Sequence, residues 1–351
     1  MWYIKGIHSL KVGNAMKIGI LGAGTWGVAL ASLLANNGHD VLVWSALPAE
    51  IDALESTHTH KNLPGVTLPS NICYTKNIED ACRGKEIILF VVPSAFIRST
   101  TAAACPYLEN GAILASAAKG IERGTLKTMT EVMEDEIAKH RPDLEYTVAA
   151  LSGPTHAEEV AIGMPTSIVA ACENEEISLK IAGAFSASCM RVYTNTDILG
   201  VEICGALKNI IAIAAGIMRG MGLGDNTKAM LMTRGISEMT RMGLAMGCRR
   251  RTFMGLAGIG DLIVTCTSVH SRNNRCGELI GKGKTYEEAS KEIGMVVEGY
   301  HALEAAMELS SKYDVEMPIT AAVYDIIKNN RSPYDVMHEL MARNIKNELY
   351  T

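Results

Sequence analysis

Five residues suited to a buried strand, Lys17-Ile18-Gly19-Ile20-Leu21, run directly into Gly22-Ala23-Gly24-Thr25-Trp26-Gly27 and then into an Ala- and Leu-rich segment closed by Gly38. A G-x-G-x-x-G triplet alone is a weak signal. It gains meaning here because it follows a strand, opens a helix and leads to a second apolar run, Val41-Leu42-Val43-Trp44. The first glycine permits the tight turn and the second lets a pyrophosphate approach the backbone. The third lets helix and strand pack closely, while the helix N-terminus offers free N–H groups and the positive end of its dipole. The plain alternative is a glycine turn without a ligand. The second strand ends Trp44-Ser45-Ala46-Leu47, with no acid there to bond an adenosine ribose and no Arg or Lys to attract a 2′-phosphate. NAD and NADP therefore both remain open.

The strand, turn and helix pattern repeats. Further β-like runs lie at 87–92, 112–117, 146–151, 166–171 and 191–194, alternating with helical segments such as 126–139. Past Thr194 helical periodicity takes over, beginning with an apolar segment over 198–218 that reads as a helix buried on nearly every face. A second helix is expected over 226–246. A capping box at Thr285-Tyr286-Glu287-Glu288 and a Ser-Pro start at Ser332-Pro333 mark two more, within a total of at least five. The expected fold is an α/β N-terminal domain, a Rossmann-like doubly wound parallel sheet, followed by an all-α C-terminal domain. The expected bounds are an extension over 1–15, a dinucleotide-binding domain over 16–197, a helical substrate domain over 198–345 and a tail over 346–351.

The remaining chemistry is bounded by composition. With 33 basic and 38 acidic side chains the net charge is −5, which recommends neither a nucleic acid nor an anionic membrane as partner. Arg249-Arg250-Arg251 reads as a solvated surface turn. The nine cysteines are scattered without a C-x-x-C pair, the usage of a reducing compartment such as the cytoplasm. His58 and His60 lack partners at zinc-ligand spacing, so no metal is expected. The longest apolar stretch, 210–218, falls short of the roughly 20 residues of a membrane span. The first fifteen residues lack the apolar core and cleavage site of a signal peptide.

Several residues stand where chemistry is expected. Lys208, in Gly205-Ala206-Leu207-Lys208-Asn209, interrupts an otherwise apolar helix. A desolvated lysine near another cation has a lowered pKa and serves as an acid or base near neutrality, whereas a snorkelling lysine would only reach a surface groove. Asn209 is turned about 100° away on the helix, so both share a pocket only if it wraps the helix. Lys119 lies where the strand at 112–117 runs out, the edge at which open α/β sheets bind ligands. Val92-Pro93-Ser94-Ala95-Phe96 and Ser152-Gly153-Pro154-Thr155 occupy equivalent positions after their strands, though turn residues there need no ligand. Gly255 to Gly260 lead to Asp261, which is either a helix N-cap or a carboxylate that holds an ammonium and raises its pKa. Ser271-Arg272-Asn273-Asn274-Arg275 offers hydroxyl, guanidinium and amide donors suited to a phosphate dianion, or is simply a solvated helix start.

Taken in order, Gly22 to Gly27, Val92-Pro93-Ser94, Ala118-Lys119-Gly120, Ser152-Gly153-Pro154-Thr155-His156-Ala157, Gly205 to Asn209, Gly260-Asp261-Leu262, Ser271-Arg272-Asn273 and Val296-Val297-Glu298-Gly299-Tyr300 resemble the motifs of NAD(P)-dependent glycerol-3-phosphate dehydrogenases, bacterial type, over about residues 16–345. The resemblance implies reversible reduction of dihydroxyacetone phosphate to sn-glycerol 3-phosphate with NADH or NADPH, in support of phospholipid synthesis. It also implies a cytoplasmic homodimer. It casts Lys208 as the proton donor and acceptor, Lys119 as a lysine shared by cofactor and substrate, and Asp261 as an acid of the substrate pocket. Asn209 and Thr265 match pocket residues, Gly153 and Thr155 substrate contacts, and Ser271, Arg272 and Asn273 the group around the substrate phosphate. Gly22, Gly24, Thr25, Trp26, Gly27, Ala157, Val296 and Glu298 match cofactor contacts, Arg272 reaches the cofactor too, and Phe96 is placed like an aromatic lying against it. Ser45-Ala46 departs from the Arg or His of many members, which argues against a strong preference for NADP. Two other readings stay open: a dehydrogenase of a β-hydroxyacid or sugar phosphate, and a non-catalytic protein that senses NAD(P). A sensor has no need of an ammonium inside an apolar helix.

Overall fold

The computed structural model describes residues 14–345 together with 347 and 348. The expected tail, and the extension as far as residue 13, lie largely outside the described residues. Eight strands form one sheet: β1 Lys17–Leu21, β2 Asp40–Trp44, β3 Ile72–Thr75, β4 Ile87–Phe90, β5 Ala112–Ser116, β6 Tyr146–Ser152, β7 Thr166–Ala171 and β8 Met190–Asn195, in the order β3-β2-β1-β4-β5-β6-β7-β8. The chain winds outward in both directions from β1 and β4, so the crevice beyond their carboxyl ends is the switch point at which such sheets bind ligands.

Strand alternation sorts side chains to two faces. Ile18, Ile20, Ile87, Leu89 and Ile113 pack under the helices Thr25–Asn36 and Glu175–Phe185. Leu21, Ile88, Phe90 and Leu114 pack on the opposite face under Ile97–Ala104 and Met129–His140. Continuous apolar strands buried on both faces are what a parallel sheet between two helix layers demands.

Two features of the sheet differ from the sequence expectation. The short edge strand β3 was not expected; it pairs with β2, Val41 opposite Ile72. The sheet is also not parallel throughout, because β7 runs antiparallel to β6, with Ala150 opposite Ala171. The helix between them, Ala157–Ala161, has only five residues. It rises about 7.5 Å, too little to carry the chain back along the sheet, so the chain reverses instead. From β7 the longer helix Glu175–Phe185 restores a parallel step to β8.

The helical half is built around Ile198–Gly220, whose residues 200–217 are all buried. Its 23 residues and mean hydropathy of 1.8 over an 18-residue window would suffice to cross a membrane, more than the sequence expectation allowed, but 89% of that window is covered by the rest of the chain. Asp197 starts the helix: its Oδ1 accepts from the Gly200 amide at 3.0 Å, and Oδ2 accepts from the Arg249 amide and the Thr252 hydroxyl. Arg249 thereby opens a short helix, Arg250–Phe253, and its guanidinium bonds Thr196. All three arginines are exposed, as the expected solvated surface turn requires, but Arg250 and Arg251 lie in a helix and Arg249 is tied to Thr196 and Asp197.

A G-x-x-x-G pair on this helix, Gly216 and Gly220, meets another, Gly277 and Gly281, on Arg272–Gly281. A Cβ on Gly277 would lie 2.0 Å from the Ile213 carbonyl oxygen, and one on Gly216 would lie 2.0 Å from that of Asn274. The backbones therefore touch, and the N-terminal turn of Arg272–Gly281 is pinned against the helix that carries Lys208.

Candidate active site

The glycine turn has the shape its sequence requires. Gly22 has φ of +124°, and a Cβ there would stand 2.7 Å from the Val91 carbonyl oxygen. A Cβ on Gly27 would stand 2.0 Å from the oxygen of Gly22, whereas at Gly24 nothing lies within 4 Å. Two glycines thus serve packing and the middle one leaves the backbone open. Gly24 is also the N-cap of Thr25–Asn36 and offers no side chain to its first amides. These features fit a bound pyrophosphate. Around this turn, Thr25 accepts from Asn62 at 3.1 Å, and Asn62 reaches Met295 Sδ, beside Val296. Trp26 is partly buried, Ala157 opens the helix packed on Thr25–Asn36, and Phe96 is 54% exposed after β4.

At the carboxyl ends of β5 and β6 the two halves of the chain meet through charge. Lys119 Nζ donates to the Gly153 carbonyl at 3.2 Å and to Asp261 Oδ2 at 2.6 Å. Lys208 Nζ donates to Asp261 Oδ1 and, at 2.6 Å, to the Thr265 hydroxyl, which in turn donates to the Asp261 carbonyl. One carboxylate therefore holds two ammoniums that come from opposite halves of the chain. Gly205, one turn before Lys208, permits this approach, since a Cβ there would lie 3.3 Å from Lys119 Cγ.

The electrostatics follow from burial. Lys208 is 5% exposed and Asp261 1%. Burial pushes the Lys208 ammonium down to about 7; the Asp261 carboxylate opposes this and the Lys119 ammonium assists it. Burial works to raise Asp261, but the two ammoniums outweigh it and hold the acid below its ordinary value. Asp261 lies in the first turn of Asp261–Thr267 but caps nothing, so its side chain is free for the lysines.

A second set of bonds runs beside the first. Asn209 Oδ1 accepts from Asn273 Nδ2 at 2.9 Å, and Asn273 Oδ1 accepts from the Gly299 amide at 2.9 Å. Asn209 thus faces Asn273 while Lys208 faces Asp261, as their 100° separation requires. Next to Gly299, Glu298 accepts from the Ser94 amide at 3.1 Å and from its hydroxyl at 2.5 Å, joining the loop after β4 to the helical half. Ser271 caps Arg272–Gly281 by accepting from the Asn274 amide. Arg272 is exposed at that helix start and, among the described residues, enters no ion pair; its planar fork of donors is of the kind that suits a phosphate.

The same architecture has been found in known proteins. Residues 17–178 match the family described as "NAD-dependent glycerol-3-phosphate dehydrogenase N-terminus" and residues 197–338 match its C-terminus counterpart. The chain belongs to the NAD-dependent glycerol-3-phosphate dehydrogenase family. It is 54% identical over 333 residues to glycerol-3-phosphate dehydrogenase (NAD(P)+) 2 of Lactobacillus delbrueckii subsp. bulgaricus, covering 95% of this chain and 99% of that protein. It is 46% identical to the enzyme of that name, without the numeral, from Fusobacterium nucleatum, with 95% and 99% covered. The crystal structure of glycerol-3-phosphate dehydrogenase from Coxiella burnetii superposes with a TM-score of 0.89 at 35% identity, covering 94% of this chain and 99% of that one.

Within this dehydrogenase framework two residues escaped the sequence reading. His156, between Thr155 and Ala157, has a buried Nε2 without a hydrogen-bond partner among the described residues. Burial first, then the nearby Lys208 and Lys119, push its pKa down, against Glu158 and Asp261. Its place in the Ser152 to Ala157 motif was the available signal. The other is Glu50. The strand end itself, Trp44-Ser45-Ala46-Leu47, carries no carboxylate, but Glu50, in the first turn of Pro48–Thr57, reaches back and accepts a hydrogen bond from Ser45 at 2.7 Å. Sequence inspection at the strand end missed it because the acid comes from the next helix. Among the described residues no group of three or more His, Cys, Asp or Glu is arranged to hold a metal.

Proposed function

We propose that this chain catalyses the reversible reduction of dihydroxyacetone phosphate to sn-glycerol 3-phosphate with NADH or NADPH, supplying glycerophospholipid synthesis. The observation that carries the reading is the Lys119, Asp261 and Lys208 cluster at the carboxyl ends of β5 and β6. Bound NAD(P)H supplies the hydride. In the reduction direction Lys208, as an ammonium, donates its proton to the C2 oxygen, and as a free amine it accepts that proton in oxidation. Asp261 and Thr265 aim the Lys208 nitrogen, and Lys119 offsets negative charge growing on the oxygen. Arg272 with Ser271 and Asn273 anchors the phosphate, whose binding energy positions the reacting carbon; Gly153, Thr155 and Asn209 complete that pocket.

In this reading residues 16–197 hold the dinucleotide through Gly22 to Gly27, Phe96 and Ala157, and Val296 and Glu298 reach over to it from the helical half. Residues 198–345 supply the acid/base and the phosphate site. The resemblance to bacterial enzymes supports a cytoplasmic homodimer. Initial rates of NADH and NADPH oxidation by the purified chain test the activity. Dihydroxyacetone phosphate is expected to drive oxidation of at least one of the two. No turnover with either would overturn the reading in favour of another substrate or a sensor.

A further inference from the structure

The end of β2 is where proteins of this fold tell NAD from NADP: a carboxylate bonds the ribose 2′-hydroxyl and repels a 2′-phosphate, while a basic residue attracts it. Here the position is set beside the glycine turn by the bond from the Gly22 amide to the Trp44 carbonyl at 2.8 Å. Ser45 follows, 5% exposed, its hydroxyl accepting from the Leu47 amide at 3.1 Å and donating to Glu50 at 2.7 Å. Pro48 at the start of the next helix fixes the turn, and Glu50, two residues further on in the first turn of that helix, comes back to the strand end. Among the described residues Glu50 takes part in no ion pair, and its one side-chain partner is the neutral Ser45 hydroxyl.

We propose that Glu50, held by Ser45, is the cofactor-selecting acid of this enzyme and makes it discriminate against NADPH. The inference rests on the dehydrogenase reading and goes beyond it by naming the residue that sets the choice. The bland role, an acid stabilising a helix start, accounts for Glu50 in the first turn but not for a buried serine committed to holding it. The cations nearby do not cancel it. Lys76 is committed to Asp52 in an ion pair. Lys61 is exposed and shares with Glu50 the surroundings of His60, whose pKa burial lowers, Glu50 raises and Lys61 lowers.

The test is equilibrium binding of NADH and of NADPH, followed by nicotinamide fluorescence and kept separate from turnover, on the full chain and on Glu50→Gln, Ser45→Ala and Lys61→Gln. The wild type is expected to bind NADH about tenfold or more tighter than NADPH, and Glu50→Gln to narrow the ratio about fivefold or more, through tighter NADPH binding. Ser45→Ala should narrow it less, and Lys61→Gln should not narrow it. An unchanged ratio in Glu50→Gln, or a wild type that prefers NADPH, overturns the inference while leaving the activity intact. A wild type that binds neither cofactor overturns the dehydrogenase reading itself.

Discussion

Replacing Lys208 by alanine is expected to leave a folded chain that binds NADH and turns over at least about a hundredfold more slowly, the usual contribution of a positioned acid/base. The helix should survive, since alanine favours helix and the deletion removes a desolvated charge in place of an apolar contact. Asp261 keeps one ammonium partner, Lys119, and is not stranded. The loss should fall on kcat, with the KM for NADH held, because Lys208 acts at the carbonyl and not at the glycine turn. Near-normal turnover would remove Lys208 from the mechanism and revive the sensor reading.

Asp261→Asn should act on stability and on chemistry together. The carboxylate is the counter-ion of two ammoniums, one of them almost fully buried. Neutralising it leaves like charges facing each other in a desolvated site, and removing one partner of a buried pair costs about 3–5 kcal/mol. Denaturant unfolding measures that loss. The carboxylate also resists the downward push of burial on Lys208, so its removal should lower the lysine pKa further. Reduction at neutral pH then slows because less ammonium is present, and lowering the pH should restore part of the rate. An Asp261→Asn enzyme with unchanged stability and pH profile would show that the three groups do not act as a unit.

Much of this was legible in the sequence because the signals are local. Strand, glycine triplet and helix sit within about twenty residues, and a lysine inside an apolar helix announces itself. Lys119 and Asp261 were each marked by position in the sequence, but not as a pair; their bond joins residues 142 apart, which no window on the chain can see. The reversal of β7 and the glycine seam that pins Arg272–Gly281 share that character; the bond from Ser45 to Glu50 spans only five residues and depends on the turn between strand and helix. The first two depend on what a segment meets in space, and β3, four residues at a sheet edge, is too short to show an alternation.

The most direct test of the central claim is the pH dependence of kcat measured in both directions on the wild type. A single lysine near 7 must be protonated to reduce the ketone and unprotonated to oxidise the alcohol. Reduction is therefore expected to fall as pH rises through about 7, and oxidation to rise over the same interval. Profiles that move together, or that are flat through this range in both directions while chemistry limits the rate, would contradict Lys208 as the group that carries the proton.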